Sequence, residues 1–158
     1  MAVPRVLIVD DEPCVLKAVE RLLRPSFDVT TCTRADAALA ALRKEHYDVL
    51  VADYLMPDMD GALLLEVAHE LSPTTARVLM TGSRDLNDVR VAVTQGEACR
   101  LVPKPFRQSQ ITQAVADALE SSRRAQSHGP VSLPVVLSPD SEPRSGQSAV
   151  GAESSVSS

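Results

Sequence analysis

The chain has 158 residues, of which 44% are hydrophobic and 3% are aromatic, and its formal net charge at neutral pH is −5. This length suits one domain with residues to spare, and the scarcity of aromatic side chains predicts an aliphatic core. The negative charge and the lack of a Lys/Arg stripe argue against direct nucleic-acid binding. No apolar run approaches the ~20 residues that a membrane-spanning helix needs.

The start of the chain and the cysteines favour a cytoplasmic protein. The apolar part of "MAVPRVLIVD" is too short for a signal peptide and lacks a small-residue cleavage site. The cysteines, Cys14, Cys32 and Cys99, are odd in number and do not have the spacing of metal ligands. We therefore expect buried free thiols in a reducing compartment.

Short apolar runs alternate with helical patterns up to residue 125. Strands are predicted over residues 5–10, 27–32, 48–53, 76–82 and 99–104. Helices are predicted over residues 11–24, 34–46, 61–71, 85–96 and 108–124. In the first helix, Asp11 is a candidate cap, and Pro13 suits the first turn.

Composition changes near residue 125, which divides the chain into a domain over 1–125 and a tail over 126–158. The tail is rich in Ser, Pro and Gly and has neither a helical nor a strand period. It buries too little apolar surface to offset the entropy of ordering, so we predict disorder. Its apolar run "VSLPVVL" (131–137) could be a docking motif, although a passive tail is the favoured interpretation.

The alternation of strands and helices predicts an α/β domain whose parallel sheet is covered by helices on both faces. Ligands of such sheets bind beyond the carboxyl ends of the strands, where the winding reverses. With five parallel strands in the order 2-1-3-4-5, the reversal falls between strands 1 and 3. Those strands end in Asp10, Asp11 and Asp53, so we expect the three carboxylates to converge.

Converging carboxylates repel one another, and a hard divalent cation relieves that repulsion. Mg²⁺ at such a site could bridge to a phosphoryl group, and a neighbouring carboxylate could act as its nucleophile. Strand 4 ends in "MTGS" and strand 5 in "PKPF", which place Thr81 and Lys104 at the same edge. A hydroxyl and an ammonium group are suitable partners for the oxygens of a transferred phosphoryl group.

These motifs resemble the receiver domain of bacterial two-component response regulators. The resemblance extends over residues 4–122, and its specificity comes from four motifs in order at strand ends. These are Asp10-Asp11, "DYLMPDMDG" from Asp53 to Gly61, "MTG" at Thr81 and "KPF" at Lys104. The resemblance implies a flavodoxin-like fold, Mg²⁺ dependence and phosphorylation by a histidine kinase or a phosphotransfer protein.

The resemblance also implies residue roles. Asp53 would be the phosphoacceptor, and Thr81 and Lys104 would contact the phosphoryl group. The implied metal ligands are Asp11 and Asp53 directly, the Leu55 carbonyl, and Asp10 through water. A cis peptide bond is implied between Lys104 and Pro105, as X-Pro bonds permit in tight turns.

One position departs from the family pattern. Receivers usually carry Tyr or Phe three residues before the lysine, and here that residue is Leu101. The resemblance therefore does not extend to a coupling between Thr81 and an aromatic side chain.

Three functions remain in competition. The first is a signalling receiver, not an enzyme, whose output passes to an unknown protein through the face of the fourth predicted helix, fifth strand and fifth helix. The second is a degenerate receiver that binds a partner regardless of phosphorylation. The third, an aspartate-dependent phosphate-ester hydrolase, is disfavoured because no cap domain is present to close the site.

Overall fold

The structure is a computed structural model that describes residues 2–82 and 100–128. Its elements in chain order are β1 (Arg5–Val9), α1 (Pro13–Leu23), β2 (Asp28–Cys32), α2 (Ala35–Lys44), β3 (Val49–Asp53), α3 (Gly61–Leu71), β4 (Ala76–Thr81), β5 (Arg100–Pro103) and α4 (Gln108–His128). The helix predicted over 85–96 lies outside the described residues, so α4 denotes the helix that follows β5.

The strands form one parallel sheet in the order β2-β1-β3-β4-β5, which confirms the predicted topology. β3 and β4 lie inside the sheet, and every residue in them is buried. β2 and β5 lie at the edges and expose part of their length. Continuous apolar runs therefore occupy the strands that are covered on both faces.

Alternate residues along each strand enter two separate apolar layers, because successive side chains point to opposite faces of a sheet. In β1, Val6 and Ile8 pack in the layer that contains α1 and α4. Leu7 and Val9 pack in the layer that contains α2 and α3. The sheet is therefore wound on both sides, as the alternation of elements predicts.

The start of α1 differs from the sequence prediction in one respect. Pro13 lies in the first turn as predicted, but the helix begins at Pro13 and not at residue 11. Its cap residue is Glu12, and no side chain caps it. The prediction that Asp11 caps α1 is therefore wrong. The side chain of Asp10 takes the local hydrogen bond instead, since its Oδ1 accepts from the backbone N of Glu12 at 2.9 Å.

The cysteines are less buried than predicted. Cys14 is exposed, because it faces solvent on α1 while Leu16 and Val19 face the core. Cys32 is partly buried, and burial raises the pKa of its thiol. The prediction of buried thiols is therefore wrong for Cys14, and Cys99 lies outside the described residues.

The last described helix continues past the predicted end at residue 124. α4 extends to His128, and residues 129–158 lie outside the described part of the chain. The boundary at residue 125 and the disorder of the tail therefore remain predictions. Among the described helices, none combines the length and the apolar character required to cross a membrane.

Candidate functional site

Three carboxylates lie together at the carboxyl ends of β1 and β3. Val9 pairs with Ala52 in the parallel register, so the residues that follow them, Asp10 and Asp53, reach the same edge. Carboxylate oxygens of Asp10, Asp11 and Asp53 lie within 4.8 Å of one another. The sheet therefore brings together acidic groups that are separated by more than forty positions along the chain.

The ammonium group of Lys104 enters this cluster from the residue after β5. Its Nζ donates to Oδ1 of Asp53 at 2.7 Å and lies 3.4 Å from Oδ2 of Asp10. The backbone N of Lys104 donates to the carbonyl of Thr81 at 2.7 Å, and the Lys104–Pro105 peptide bond is cis. With three carboxylates and one ammonium group, the cluster carries a formal charge of −2.

Burial and charge act against each other in this cluster. Asp10 is fully buried and Asp53 is 8% exposed, while Asp11 is the most exposed of the three. Burial raises the pKa of Asp53, the hydrogen bond from Lys104 lowers it, and the charge of Asp10 raises it, with a net upward shift. Burial lowers the pKa of Lys104, but its hydrogen bond and charge interactions with Asp53 and Asp10 outweigh this effect and leave its pKa raised.

Thr81 ends β4, the strand next to β3, and Leu55 belongs to the loop that follows β3. Asp53 pairs with Met80, so Thr81 is one position further towards the same edge of the sheet. Thr81 is fully buried, and its Oγ1 donates to the carbonyl of Gly82 at 3.2 Å. Leu55 follows Asp53 by two residues and exposes 60% of its surface.

Close backbone packing joins Asp53 to the first turn of α3. A Cβ atom at Gly61 would overlap the carbonyl oxygen of Asp53 and would lie 2.8 Å from Cδ1 of Leu79. The preceding residue, Asp60, caps the helix by accepting a hydrogen bond from the backbone N of Leu63 at 2.8 Å. Only glycine allows α3 to begin this close to β3.

The donor set suits a hard divalent cation. Carboxylate oxygens are the ligands that Mg²⁺ and Ca²⁺ prefer in proteins, and this cluster offers one from each of three aspartates. Clustered negative charge is unfavourable without a counter-charge. The residual formal charge of the cluster matches the charge of one divalent ion, so the residues fit such an ion.

The order of these groups along the chain matches a known family. A family model for the response regulator receiver domain matches residues 6–116, which include every group of the site. The chain belongs to the response regulator receiver family. It is thus a signalling domain of two-component systems. In the receiver family, an aspartate accepts the phosphoryl group.

This receiver domain is similar to part of larger plant proteins. It is 41% identical over 111 residues to "Two-component response regulator ARR11" from Arabidopsis thaliana, which covers 68% of this chain and 21% of that protein. The chain spans about a fifth of the length of the curated relatives it matches. What those complete proteins do therefore enters only as a proposal for this chain.

Solved structures share the fold of this receiver domain. "The crystal structure of adenylate cyclase from Rhodopirellula baltica" matches with a TM-score of 0.75 and 31% identity over 80% of this chain and 95% of that one. A CheY-like receiver domain from Methanospirillum hungatei JF-1 matches with a TM-score of 0.70 and 26% identity over 78% and 98% of the two chains. Both matches confirm the flavodoxin-like architecture.

Leu101 occupies the position at which receivers usually carry an aromatic residue. It pairs with Leu79 in the sheet register and packs, partly buried, against the apolar layer that contains α2 and α3. The side chain of Leu101 therefore contributes to packing at the β5 edge, and it has no hydroxyl group that could bond to Thr81.

Sequence reasoning missed Asp58, which lies in the loop between β3 and α3. Its Oδ2 accepts a hydrogen bond from the backbone N of Ala35 at 2.9 Å, across 23 positions of the chain. No local signal marks this bond, because the sequence around Asp58 is that of an ordinary polar turn. Only the relative placement of α2 and the loop reveals it.

Proposed function

We propose that Asp53 accepts a phosphoryl group from a histidine kinase or a phosphotransfer protein in a two-component phosphorelay. The observation that carries this proposal is the contact of Lys104 with Asp53 inside the carboxylate cluster. The cluster places an ammonium group against the oxygen of Asp53 and offers carboxylate oxygens for a divalent cation, which are the charges that a transferred phosphoryl group needs.

Asp11 and Asp53 would hold Mg²⁺ directly, together with the carbonyl of Leu55, and Asp10 would act through water. This assignment extends the fit of the oxygen cluster to a hard divalent cation. When bound, Mg²⁺ neutralises negative charge on the site and on the phosphoryl oxygens. A cytoplasmic location is part of the same proposal.

The phosphoryl transfer would use groups that already surround Asp53. An oxygen of Asp53 attacks phosphorus while the bond from phosphorus to the donor nitrogen breaks, and the nitrogen keeps the electron pair. The ammonium group of Lys104, now 2.7 Å from Asp53, would pair with a phosphoryl oxygen. The hydroxyl of Thr81 would donate to another, so positioning and charge neutralisation carry the reaction.

The output would be a protein–protein interaction, not direct nucleic-acid binding or catalysis on an external substrate. The domain would assist only its own phosphorylation and dephosphorylation. The proposed partner face combines the helix predicted over 85–96 with β5 and α4. The first of these elements lies outside the described residues, so this face is supported by the family resemblance alone.

Phosphorylation of the purified protein by acetyl phosphate in the presence of Mg²⁺ tests this function. Intact-mass spectrometry should show the addition of one phosphoryl group to the wild type and none to Asp53→Asn. Asp36→Asn is the matched control, since Asp36 is an exposed carboxylate outside the cluster. It should be modified as fully as the wild type.

Three outcomes would contradict the proposal. Unchanged modification in Asp53→Asn would exclude Asp53 as the acceptor. A phosphorylated protein whose affinity for a partner equals that of the unmodified protein would favour the degenerate receiver instead. Steady turnover of a phosphate ester would favour the hydrolase.

A further inference from the structure

We propose that Asp58 is a positioning residue for the metal site, because it bonds the loop after β3 to the first residue of α2. This inference rests on the proposed function, since it concerns the same cluster of aspartates. Asp58 would not touch the metal or the phosphoryl group. It would hold in place the loop that carries Leu55 and begins at Asp53.

The bond from Asp58 supplies an acceptor that α2 lacks locally. Ala35 is the first residue of α2, and the preceding cap residue, Arg34, makes no side-chain capping bond. Oδ2 of Asp58 accepts from the Ala35 amide at 2.9 Å and lies 4.0 Å from the Arg34 guanidinium group. A carboxylate at this position satisfies an otherwise orphan amide and interacts favourably with the positive end of the helix dipole.

The same bond lies in a chain of contacts that returns to the metal site. The backbone N of Asp10 donates to the carbonyl of Cys32 at the end of β2, at 3.2 Å. Three residues later, Ala35 donates to Asp58. Asp58 belongs to the loop that follows Asp53. The segments that follow β1 and β3 are therefore joined to each other through the turn between β2 and α2.

Asp58 holds the middle of a segment whose two ends are fixed separately. At one end, the backbone N of Tyr54 donates to the carbonyl of Met80 at 2.8 Å. At the other end, Asp60 caps α3. The carbonyl of Leu55 lies between the first of these anchors and Asp58. Loss of the Asp58 bond would give that carbonyl more freedom without opening either end.

Coupling of this kind acts in both directions. If Asp58 orders the metal site, Mg²⁺ must order the contact between Asp58 and Ala35 by the same factor. Partners that orient metal ligands typically change metal affinity by about 10-fold to 100-fold when removed. Mg²⁺ should therefore slow hydrogen exchange at the Ala35 amide in the wild type.

The test compares Asp58→Ala, Asp58→Asn and a matched control, Asp48→Ala, by Mg²⁺ titration followed through amide NMR shifts. Asp48 makes the same kind of bond, since its Oδ2 accepts from the backbone N of Arg5 at 2.8 Å. The side chains of Asp58 and Asp48 are 20% and 30% exposed. Asp48 immediately precedes β3. It therefore lies at the amino end of this strand, whereas the carboxylate cluster lies at the carboxyl end.

We expect Asp58→Ala to weaken Mg²⁺ binding by about 10-fold and to abolish the Mg²⁺-dependent protection of the Ala35 amide. Asp58→Asn keeps an acceptor oxygen and should keep both properties, with an affinity within about 3-fold of the wild type. Asp48→Ala should bind Mg²⁺ like the wild type even though it loses stability.

Two results overturn the inference, and they are distinguishable. A wild-type protein that shows no Mg²⁺-induced shifts overturns the proposed metal site and this inference with it. A wild type that binds Mg²⁺, combined with an Asp58→Ala variant that binds as tightly as Asp48→Ala, overturns the role of Asp58 alone. Should Asp58→Ala fail to fold, Asp58→Asn decides: because this variant keeps the acceptor oxygen, one that binds Mg²⁺ but shows no Mg²⁺-dependent protection of the Ala35 amide overturns the role of Asp58.

Discussion

Asp53 shows how one residue can be unfavourable for the fold and suitable for chemistry. It is almost fully buried and has two other carboxylates near it, so its pKa is raised even though Lys104 donates to it. The folded state therefore disfavours the ionised form relative to the unfolded chain. The ionised side chain of Asp53 therefore lowers the stability of the folded protein at neutral pH.

The raised pKa of Asp53 predicts how stability depends on pH. The ordinary pKa of an aspartate is 3.8. At pH values between this and the raised pKa, Asp53 carries a proton more often in the folded state than in the unfolded state. Stability should therefore fall as pH rises from that value through the raised pKa, and then level off. Asp53→Asn removes this dependence, so it should be more stable than the wild type at neutral pH by urea unfolding, and the difference should vanish in acid.

Two groups provide the comparison for this pH prediction. The pKa of Lys104 is also raised, but its contribution to stability is lost only above its ordinary value of 10.5, outside the acidic window. The pKa of exposed Asp36 is lowered by its hydrogen bond with Arg34, so Asp36→Asn should not stabilise the protein at neutral pH. A destabilised Asp53→Asn variant at neutral pH would contradict the sign of the Asp53 shift.

At the scale of the elements, the junction of β3 and α3 sets the position of Asp53, the proposed phosphoacceptor. Asp53 is the last residue of β3, and α3 begins at Gly61 with its backbone against the Asp53 carbonyl. Met56, in the loop between them, is buried in the apolar layer of α2 and α3. The loop is thus confined by packing on one side and by the cap of α3 on the other.

Gly61→Ala tests this junction. The new methyl group would overlap the carbonyl of Asp53, and because backbone cannot move aside as a flexible side chain can, we expect a loss of about 1–3 kcal/mol of unfolding free energy. Chemical denaturation measures the loss. Glu66→Ala, at an exposed position of the same helix, should stay within about 0.5 kcal/mol of the wild type. Equal stabilities of the two variants would contradict the close approach.

At the scale of the whole molecule, the parallel sheet collects residues from distant parts of the chain at one edge. β1 and β3 are neighbours, and their common direction brings Asp10 and Asp53 together. β4 and β5 extend the same edge with Thr81 and Lys104. The negative cluster is then stabilised by one ammonium group and, in our proposal, by Mg²⁺.

Mg²⁺ should stabilise the folded protein as a whole, because the unfolded chain has no preformed cluster to bind it. At a concentration ten times its dissociation constant, the gain is about 1.4 kcal/mol, which raises the Tm by several degrees. Differential scanning calorimetry measures the shift, with NaCl at equal ionic strength as the control. Asp11→Asn should lose most of it, and a Tm that Mg²⁺ leaves unchanged would contradict the proposed metal site.

Sequence reasoning predicted best where the signal was local. The apolar runs with Asp10 and Asp53 at their ends predicted buried strands that deliver carboxylates to one edge, and the structure has β1 and β3 there. Sequence reasoning failed where the result depended on how a helix is rotated about its axis or capped. Cys14 is exposed and Asp11 does not cap α1, because both depend on the packing of α1 against the sheet.

The sequence by itself determined the alternation of elements, the parallel sheet and the chemical types of the groups at its edge, since periodicity and strand ends are properties of neighbouring residues. Only the tertiary structure decided that Lys104 contacts both Asp53 and Asp10, and that Asp58 bonds to the start of α2. These contacts join residues that are far apart in the chain. Their formation depends on the geometry of the assembled sheet and helices, which no short stretch of sequence contains.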